Sequence, residues 1–300
     1  MKRRPGVETL GALFVAFAAV LFGGTVVLGK LLANREYPVT SMLAIRFAIA
    51  ATLLAATLAA IRQPLRPEAG EVRGLVALGA VGYATESALF FLALGHGTAS
   101  AVTLLFFTYP ALVAVYSAVL GMGVPGWLTV GSLFAALAGA VLVVGSSGGL
   151  AVTGAGVAFA LGSALSFSLY LVGAEVVIKR TSSLVAAMWV SGSASVALAT
   201  MALLGGSGRL PSGPREWWPI IGMGAFTAAA FSSLFMGLRR LGAVRTSIVA
   251  SLEPVAAAAL AFAFLDEPLR TGTIAGGILI LIASVTASLA RREGAEAAVP

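Results

Sequence analysis

The 300-residue chain is 59% apolar and only 10% charged, whereas the charged fraction of a soluble globular domain is about 25%. This composition excludes a water-soluble globule and indicates a membrane protein. The formal net charge of +7 does not indicate a nucleic-acid partner, because basic excess in membrane proteins usually comes from cytoplasmic loops. The chain has no cysteine and one histidine, His96, so disulfides, zinc–thiolate sites and paired-histidine metal motifs are excluded. We therefore expect no metal and no cofactor.

Apolar segments of about 20 residues recur along the chain, and an α-helix needs this length to cross about 30 Å of hydrocarbon. A transmembrane β-barrel would instead show alternating strands of about ten residues, and the sequence does not alternate. The first segment follows the basic residues 2–4, but it is longer than the apolar core of a signal peptide, about 7–15 residues. The ten predicted spans cover about residues 10–28, 39–61, 74–94, 98–119, 127–144, 157–178, 184–204, a segment ending near 238, 246–264 and 272–290.

Basic residues are unequally distributed between the two sets of loops that ten spans create. With the N-terminus inside, thirteen Lys and Arg residues lie on the inner side, among them Arg239, Arg240 and Arg245, and five lie on the outer side. Cytoplasmic loops are enriched in Lys and Arg. We therefore predict an all-α polytopic membrane protein with both termini in the cytoplasm. The expected location is the plasma membrane, in a bacterium the inner membrane.

Three ionisable residues lie well inside predicted spans, where a charge is costly and usually faces protein, water or substrate. Arg46, in span two, could attract a substrate carboxylate, or could pair with an acid or with backbone carbonyls. Glu86, near the centre of span three, could bind a substrate amine or carry a coupling proton, or could be a structural partner of Arg46. Glu253 lies about a third of the way into span nine. All three are candidates for a substrate cavity.

Prolines interrupt spans four and nine. Pro110 follows Tyr109 and Pro254 follows Glu253. Because proline removes a backbone donor and frees the carbonyl one turn earlier, each position can bend its helix. We interpret the two prolines as a hinge or gate; the alternative is a pair of kinks whose free groups are satisfied by neighbouring helices.

Aromatic residues on spans three, four and seven could line the same cavity, although most aromatic residues in membrane helices pack against protein or face lipid. The aromatic candidates for the cavity are Tyr83, Phe90, Phe106, Tyr109 and Trp189.

The chain contains an internal repeat. A shift of 144 residues places Pro110 on Pro254 and Arg46 on Val190, and a shift of 145 places Gly131 on Gly276. We predict two halves, residues 1–147 and 148–300, that join in a Gly- and Ser-rich seam and form one membrane unit. Because each half has five spans, the second half enters the membrane from the opposite face, and inverted repeats of this kind place a substrate site near the midplane and permit alternating access.

The order of the motifs resembles the EamA family of the drug/metabolite transporter superfamily over about residues 10–290. The motifs are 22-FGGTVVLGK-30, Arg46 early in span two, the two mid-helix prolines, and 265-LDEP-268 before a Gly-rich last span. The first half departs from the pattern, because residues 121–123 replace the acidic turn. The resemblance implies a secondary transporter, in particular an exporter of amino acids, especially aromatic or bulky ones, or of other metabolites or toxic analogues.

The sequence therefore predicts a secondary transporter for amino acids or similar small metabolites. No nucleotide-binding motif is present, so a gradient or facilitated flow would drive transport. The alternative is an exporter of drugs, toxic cations or another metabolite class such as nucleosides or sugars. A channel is a more remote alternative, because no filter-like loop is present. An enzyme is not expected, since the nucleophiles, bases and metal ligands are too scattered. The expected partners are an amino-acid-like substrate and the lipid bilayer, without nucleic acid, and the expected state is a monomer or weak dimer.

Overall fold

A computed structural model of the protein describes residues 5–33, 35–97, 99–145, 152–265 and 270–289. These residues form helices and contain no β-strand, apart from an isolated bridge between Gly97 and Val152. The elements in chain order are α1 (Pro5–Ala33), α2 (Val39–Ala60), α3 (Val72–Ala77), a π-helix (Leu78–Tyr83), α4 (Ala84–Leu94), α5 (Ala99–Phe106), α6 (Tyr109–Val119), α7 (Trp127–Gly145), α8 (Gly154–Val177), α9 (Ser183–Leu204), α10 (Pro214–Leu241), α11 (Ala243–Ala250), α12 (Glu253–Leu265) and α13 (Thr271–Leu289).

The described residues contain nine helical segments that are long and apolar enough to cross a bilayer, and a shorter apolar helix over Thr271–Ala287. A helix satisfies its backbone hydrogen bonds internally, so apolar segments fold this way in hydrocarbon. The chain is therefore an all-helical, multi-pass membrane protein. Several helices are longer than the predicted spans: α1, which forms span one, begins at Pro5, and α10, which forms span eight, ends at Leu241. The predicted boundary between the halves, at 147 and 148, and most of the 265–268 motif lie outside the described residues.

The third span contains a π-helix that hydropathy did not predict. It occupies Leu78–Tyr83, between α3 and α4. A Cβ atom on Gly79 would clash with the carbonyl oxygen of Val190, so this helix lies directly against the backbone of α9. Hydropathy cannot distinguish the hydrogen-bond pattern of a π-helix from that of an α-helix, and short π segments occur frequently at functional sites.

Spans four and nine are each interrupted by a turn of two residues. In span four, α5 ends at Phe106 and α6 begins at Tyr109; in span nine, α11 ends at Ala250 and α12 begins at Glu253. Each proline lies at the second residue of the following helix, where its missing N–H group removes no intrahelical hydrogen bond. The sequence predicted the position of both interruptions. The structure shows that each is a turn still bonded to the preceding helix, through Thr108 N–H to the Leu105 carbonyl at 3.2 Å and Leu252 N–H to the Val249 carbonyl at 3.1 Å.

The helices pack in pairs that relate the two halves of the chain. The pairs α2 and α9, α6 and α11, and α7 and α13 each join equivalent spans of the two halves. The contact of α1 with α10 in turn has its equivalent in the contact of α8 with α4. This pattern is the one that a twofold relation between the halves produces.

Two close contacts between helix backbones, at Gly224 and at Gly79, are also equivalent in the two halves. Gly224 of α10 lies against α2, where an added Cβ atom would be 3.1 Å from the carbonyl oxygen of Arg46. Gly79 contacts the carbonyl of Val190 in α9 in the equivalent way. Gly79 and Gly224 are 145 positions apart, and Arg46 and Val190 are 144 positions apart, which agrees with the sequence repeat. Small residues at such positions allow membrane helices to approach closely.

Helices α7 and α13 also meet through glycines. A Cβ atom on Gly139 would lie 2.7 Å from the carbonyl oxygen of Gly276, so the two backbones are in direct contact. At Gly131 of the same helix, an added Cβ atom would meet nothing within 4 Å. Of Gly131 and Gly139, the structure thus assigns the tight packing to Gly139.

Arg245 does not lie in an inner loop, as the count of basic residues assumed, but within α11. The connection from α10 to α11 is a single residue, Gly242. Its φ of +81° is a conformation that favours glycine. Arg245 is only 5% exposed, and its guanidinium forms an ion pair of 3.2 Å with Glu8 of α1. Its Nε donates to the Leu241 carbonyl at 3.1 Å. Arg245 therefore joins α1 to α11 rather than facing solvent.

Glu71, in the loop after α2, contacts the loop after α8. Its carboxylate accepts hydrogen bonds from the backbone N–H groups of Arg180 at 2.9 Å and Thr181 at 3.0 Å. Partial burial raises the pKa of the Glu71 carboxyl, but the hydrogen bonds from Thr181 and Arg180 outweigh it and hold the pKa below the ordinary value. The ionised Glu71 therefore ties the loop after α2 to the loop after α8.

Candidate functional site

Arg46 is buried near the middle of the helical core. It lies on α2 and is 8% exposed, and its Nε donates to the Thr227 Oγ1 of α10 at 2.6 Å. Thr227 in turn donates to the Met223 carbonyl at 2.7 Å, which fixes the orientation of the hydroxyl. The glycine contact between α10 and α2 at Gly224 brings these two side chains together. The sequence did not single out Thr227, because its role depends on the packing of α10 against α2.

Tyr83 ends the π-helix beside Arg46. The two side chains interact electrostatically. The Tyr83 ring lies 5.3 Å from the ring of Phe47 and 4.9 Å from that of Phe231. Tyr83 therefore connects the buried guanidinium to an aromatic cluster contributed by both halves.

Glu86 lies one turn after Tyr83, in the first turn of α4, and is 7% exposed. The hydroxyl of Ser87 donates to its carboxylate at 2.9 Å. The hydroxyl of Ser163 on α8 lies 3.5 Å from the carboxylate and donates to the Glu86 backbone carbonyl at 3.1 Å. These hydroxyls fix the position of the Glu86 carboxyl group.

Glu253 begins α12, immediately before Pro254. It is enclosed by protein, yet its side chain keeps partial accessibility. Glu253 interacts electrostatically with both Glu86 and Arg46, so the three charges that the sequence singled out share one region of the interior. Among the described residues, no ion pair links Arg46 to either carboxylate. The interior charges are therefore neighbours without being bonded partners.

Tyr109 is the counterpart of Glu253 in the first half and begins α6. It is 1% exposed, and its hydroxyl lies 3.4 Å from the Ser247 carbonyl of α11. Tyr109 also interacts electrostatically with Glu253. The two helix interruptions, at Pro110 and Pro254, are thus brought close to each other.

Most of the predicted aromatic residues form one connected cluster. Phe106 lies 5.4 Å from Phe90 and 5.2 Å from Tyr109, measured between ring centroids. Phe167 of α8 connects this group to the Arg46 region, with centroid distances of 4.8 Å to Tyr109 and 6.3 Å to Tyr83. Phe167 lies at the centre of the cluster, and no pattern in the sequence singled it out.

Other members of the cluster that the sequence did not single out have a spacing typical of one helix face. Phe231 and Phe235 are four residues apart on α10, and Phe167 and Tyr170 are three apart on α8. This periodicity indicates a shared face, but it could not show that the face meets Tyr83.

Trp189 stands apart from the other candidates. Its indole N–H donates to the Leu65 carbonyl, in the loop between α2 and α3, at 2.9 Å. Within the described chain it makes no ring contact with the cluster. The structure thus places Trp189 at a loop near the end of the spans, and the other predicted cavity residues around the core.

Nothing in the described ranges groups three or more His, Cys, Asp or Glu side chains in a way that could hold a metal ion. The chemistry available at the candidate site is therefore that of one guanidinium, two carboxylates, hydroxyls and aromatic rings.

Comparisons with known proteins agree with this architecture. The model of the EamA-like transporter family matches residues 9–145 and again residues 154–289. A solved structure titled only "Crystal structure of protein" superposes with a TM-score of 0.78, at 20% sequence identity, over 93% of this chain and 96% of that one. At this identity the likeness shows the fold alone. No curated protein sequence matches the chain.

Proposed function

Because the chain belongs to the EamA-like transporter family, we propose that it is a secondary transporter that exports amino acids or similar small metabolites. The family match over both halves, residues 9–145 and 154–289, supports a membrane transporter built from two repeats. The site around Arg46 is the proposed substrate site.

The observation that carries this proposal is the set of interior ionisable groups that form no ion pair among the described residues. Charged groups inside a membrane protein are costly unless they are paired, and they mark substrate or ion pathways. The Arg46 guanidinium donates to Thr227, and the Glu86 carboxyl group is bonded by Ser87 and Ser163. Within the described residues neither has an ion-pair partner, so each is available to an oppositely charged group of a substrate.

A zwitterion matches this arrangement. The guanidinium of Arg46 can bind a carboxylate through two parallel hydrogen bonds, and Glu86 or Glu253 can accept from an ammonium group. The rings of Tyr83, Phe106 and Tyr109 offer apolar and cation–π contacts to the rest of the molecule. Amino acids combine these features, and aromatic or bulky ones use the ring cluster best.

Alternating access is the proposed mechanism. Ten spans in two inverted halves, with both termini in the cytoplasm, would place the site at the pseudo-twofold axis. The paired packing of equivalent helices supports this arrangement, and the two helix breaks at Pro110 and Pro254 provide the proposed hinges. A helix interrupted by a turn before a proline lacks the regular hydrogen-bond ladder at that point, so the turn is the proposed site of bending. A solute or proton gradient would supply the energy.

The direct test is transport by the purified protein in liposomes. We expect it to exchange labelled amino acids across the bilayer, with saturable rates and stimulation by unlabelled substrate on the opposite side. The variant Arg46→Gln should reduce the flux at least tenfold while the protein remains folded, as judged by size-exclusion chromatography. Flux equal to that of empty vesicles for a broad panel of amino acids and related metabolites would overturn the proposed cargo. Flux that does not saturate would indicate a channel.

One observation favours a second cargo class, organic cations. The region contains two carboxylates, Glu86 and Glu253, and one guanidinium, so its formal charge balance is negative. An aromatic cluster beside carboxylates is also suited to a drug-like cation. If the cargo is a cation, Arg46→Gln should leave transport intact or increase it, and Glu86→Gln should abolish it. If the cargo is a zwitterion, both substitutions should abolish transport.

We place the protein in the plasma membrane, in a bacterium the inner membrane, as a monomer or weak dimer. Fractionation of the membranes of cells that express the tagged chain tests the location. The mass of the detergent-solubilised protein, measured by light scattering, tests the oligomeric state. Recovery in another membrane or a stable higher oligomer would overturn the respective assignment.

A further inference from the structure

A crevice of about 380 Å³ lies between the third span and α8, outside the proposed substrate site. Its walls are mainly apolar. One wall contains Leu78 and Val81 of the π-helix, and the other contains Leu169, Tyr170 and Val177 of α8. Val81 is 65% exposed and Leu169 is 50% exposed, although both lie in membrane-spanning segments. The crevice therefore opens to the hydrocarbon of the bilayer.

Three basic residues lie close in sequence to the residues at one end of the crevice. Gly74 and Val177 line this end. Arg73 precedes Gly74 directly, and Lys179 and Arg180 follow Val177. All three basic side chains are exposed, and none forms an ion pair or side-chain hydrogen bond with any residue in the described part of the chain.

Two acids, Glu71 and Glu175, lie near these cations, and neither forms a direct ion pair with them among the described residues. The Glu175 carboxylate accepts from the Ala243 N–H at 2.6 Å. The Glu71 carboxylate is engaged by the backbone N–H groups of Arg180 and Thr181. Three cationic groups thus lie near this end of the crevice, at the ends of the apolar spans 72–94 and 154–177.

We propose that this crevice binds one anionic phospholipid, with an acyl chain between the third span and α8 and the phosphate at Arg73, Lys179 and Arg180. The apolar walls match a hydrocarbon chain, and basic pockets between transmembrane helices at the cytoplasmic side bind anionic headgroups. A soluble phosphate would meet the same cations but would leave the apolar walls without a partner. A zwitterionic lipid would fill the walls but would carry less net charge for the cations.

The bound chain would also contact the proposed substrate site through one residue. Tyr170 lines the crevice and is 1% exposed, and its ring lies 5.3 Å from that of Tyr83. An acyl chain in the crevice therefore packs against the wall that supports Tyr83. This lipid site does not depend on the identity of the transported cargo.

Binding of lipid to the purified full-length protein tests the proposal without a transport assay. In native mass spectrometry of the detergent-solubilised protein, phosphatidylglycerol should be retained at least fivefold better than phosphatidylcholine with the same acyl chains. The double variant Arg73→Gln/Lys179→Gln should weaken retention of phosphatidylglycerol about tenfold, since each basic residue near the membrane surface contributes to the attraction. The matched control Arg62→Gln/Arg66→Gln removes the same charge from the adjacent loop and should retain the lipid.

A second pair of variants tests the apolar part of the site. Val81→Trp adds a large side chain at the exposed rim of the crevice and should lower retention of the anionic lipid severalfold. Val196→Trp, at a position that is 68% exposed on α9, is the control and should leave retention unchanged. Equal loss in the two double variants, unchanged retention in Val81→Trp, or equally strong binding of glycerol phosphate would each overturn the proposal. Chromatography and thermal unfolding of every variant establish that it is folded.

Discussion

The hydroxyl of Tyr109 lies 3.4 Å from the backbone carbonyl of Ser247, and this contact joins the two broken helices of the chain. Tyr109 begins α6 directly after the first break, and Ser247 lies in α11, shortly before the second. The distance is long for an O–H···O hydrogen bond, so the contact is weak. A weak contact between two interrupted helices is suited to a junction that opens and closes during transport.

We expect Tyr109→Phe to leave the thermal stability almost unchanged and to change the rate of substrate exchange about fivefold. The substitution removes a hydrogen bond that contributes about 1 kcal/mol at most, so the fold tolerates it, but this energy is enough to shift a conformational equilibrium by that factor. The measurement is the half-time of counterflow in liposomes, together with the unfolding temperature. Tyr116→Phe, on the same helix, is the control, and an equal effect of both substitutions would show that the contact has no special role.

Thr227→Val should reduce transport about tenfold. The hydroxyl accepts a hydrogen bond from the buried Arg46 guanidinium, and removal of a partner from a buried polar group costs about 1–3 kcal/mol. The isosteric valine keeps the packing between α10 and α2, so the protein should remain folded. Initial rates of uptake into liposomes check the prediction.

The control is Thr200→Val, because that hydroxyl is exposed and donates only to the carbonyl of its own helix, at Val196. Wild-type transport by Thr227→Val would mean that Arg46 needs no fixed orientation, and would remove Thr227 from the proposed site.

Gly139→Ala should destabilise the protein by about 1–3 kcal/mol, as expected when a group is forced into a tightly packed interior. The added methyl group would lie 2.7 Å from the Gly276 carbonyl oxygen and would push α7 away from α13. Gly131→Ala, on the same helix with open space around the added atom, should have no such effect. Thermal unfolding in detergent compares the two variants, and equal stability would contradict the close approach of the two backbones.

Glu71→Gln should destabilise the loop after α8 in a manner that depends on pH. Because the pKa of Glu71 is below its ordinary value in the folded protein, the ionised carboxylate stabilises the fold fully above the unfolded pKa of about 4.3, and this contribution is lost as the pH falls through the folded pKa. The difference between the wild type and Glu71→Gln should therefore be large at pH 7 and should diminish below about pH 4.

Hydrogen exchange at the amides of Arg180 and Thr181 gives the most local measurement of this effect, since both donate to the Glu71 carboxylate. Glu68→Gln changes a neighbouring exposed side chain and should leave the exchange of these amides unaltered at every pH. If the two variants exchange alike, Glu71 does not hold this loop.

The sequence alone determined the class of the protein and the positions of its unusual residues. Hydropathy and segment length are local properties, so they placed the spans and showed that Arg46, Glu86 and Glu253 lie inside them. The helix-breaking effect of proline is also local, and the interruptions at Pro110 and Pro254 follow from it. The repeat predicted the two halves, and the family match over residues 9–145 and 154–289 confirms two repeats.

Only the tertiary structure decided which residues share the site. Arg46 and Thr227 are 181 positions apart, and their hydrogen bond depends on how α2 and α10 rotate and approach at Gly224. The same dependence brings Phe167 to the centre of the aromatic cluster and leaves Trp189 at a loop. Hydropathy records that a residue is apolar but not the direction in which a helix presents it, since every face of a membrane helix can be apolar. The choice of neighbours is therefore made by packing between distant helices, which no local pattern in the chain encodes.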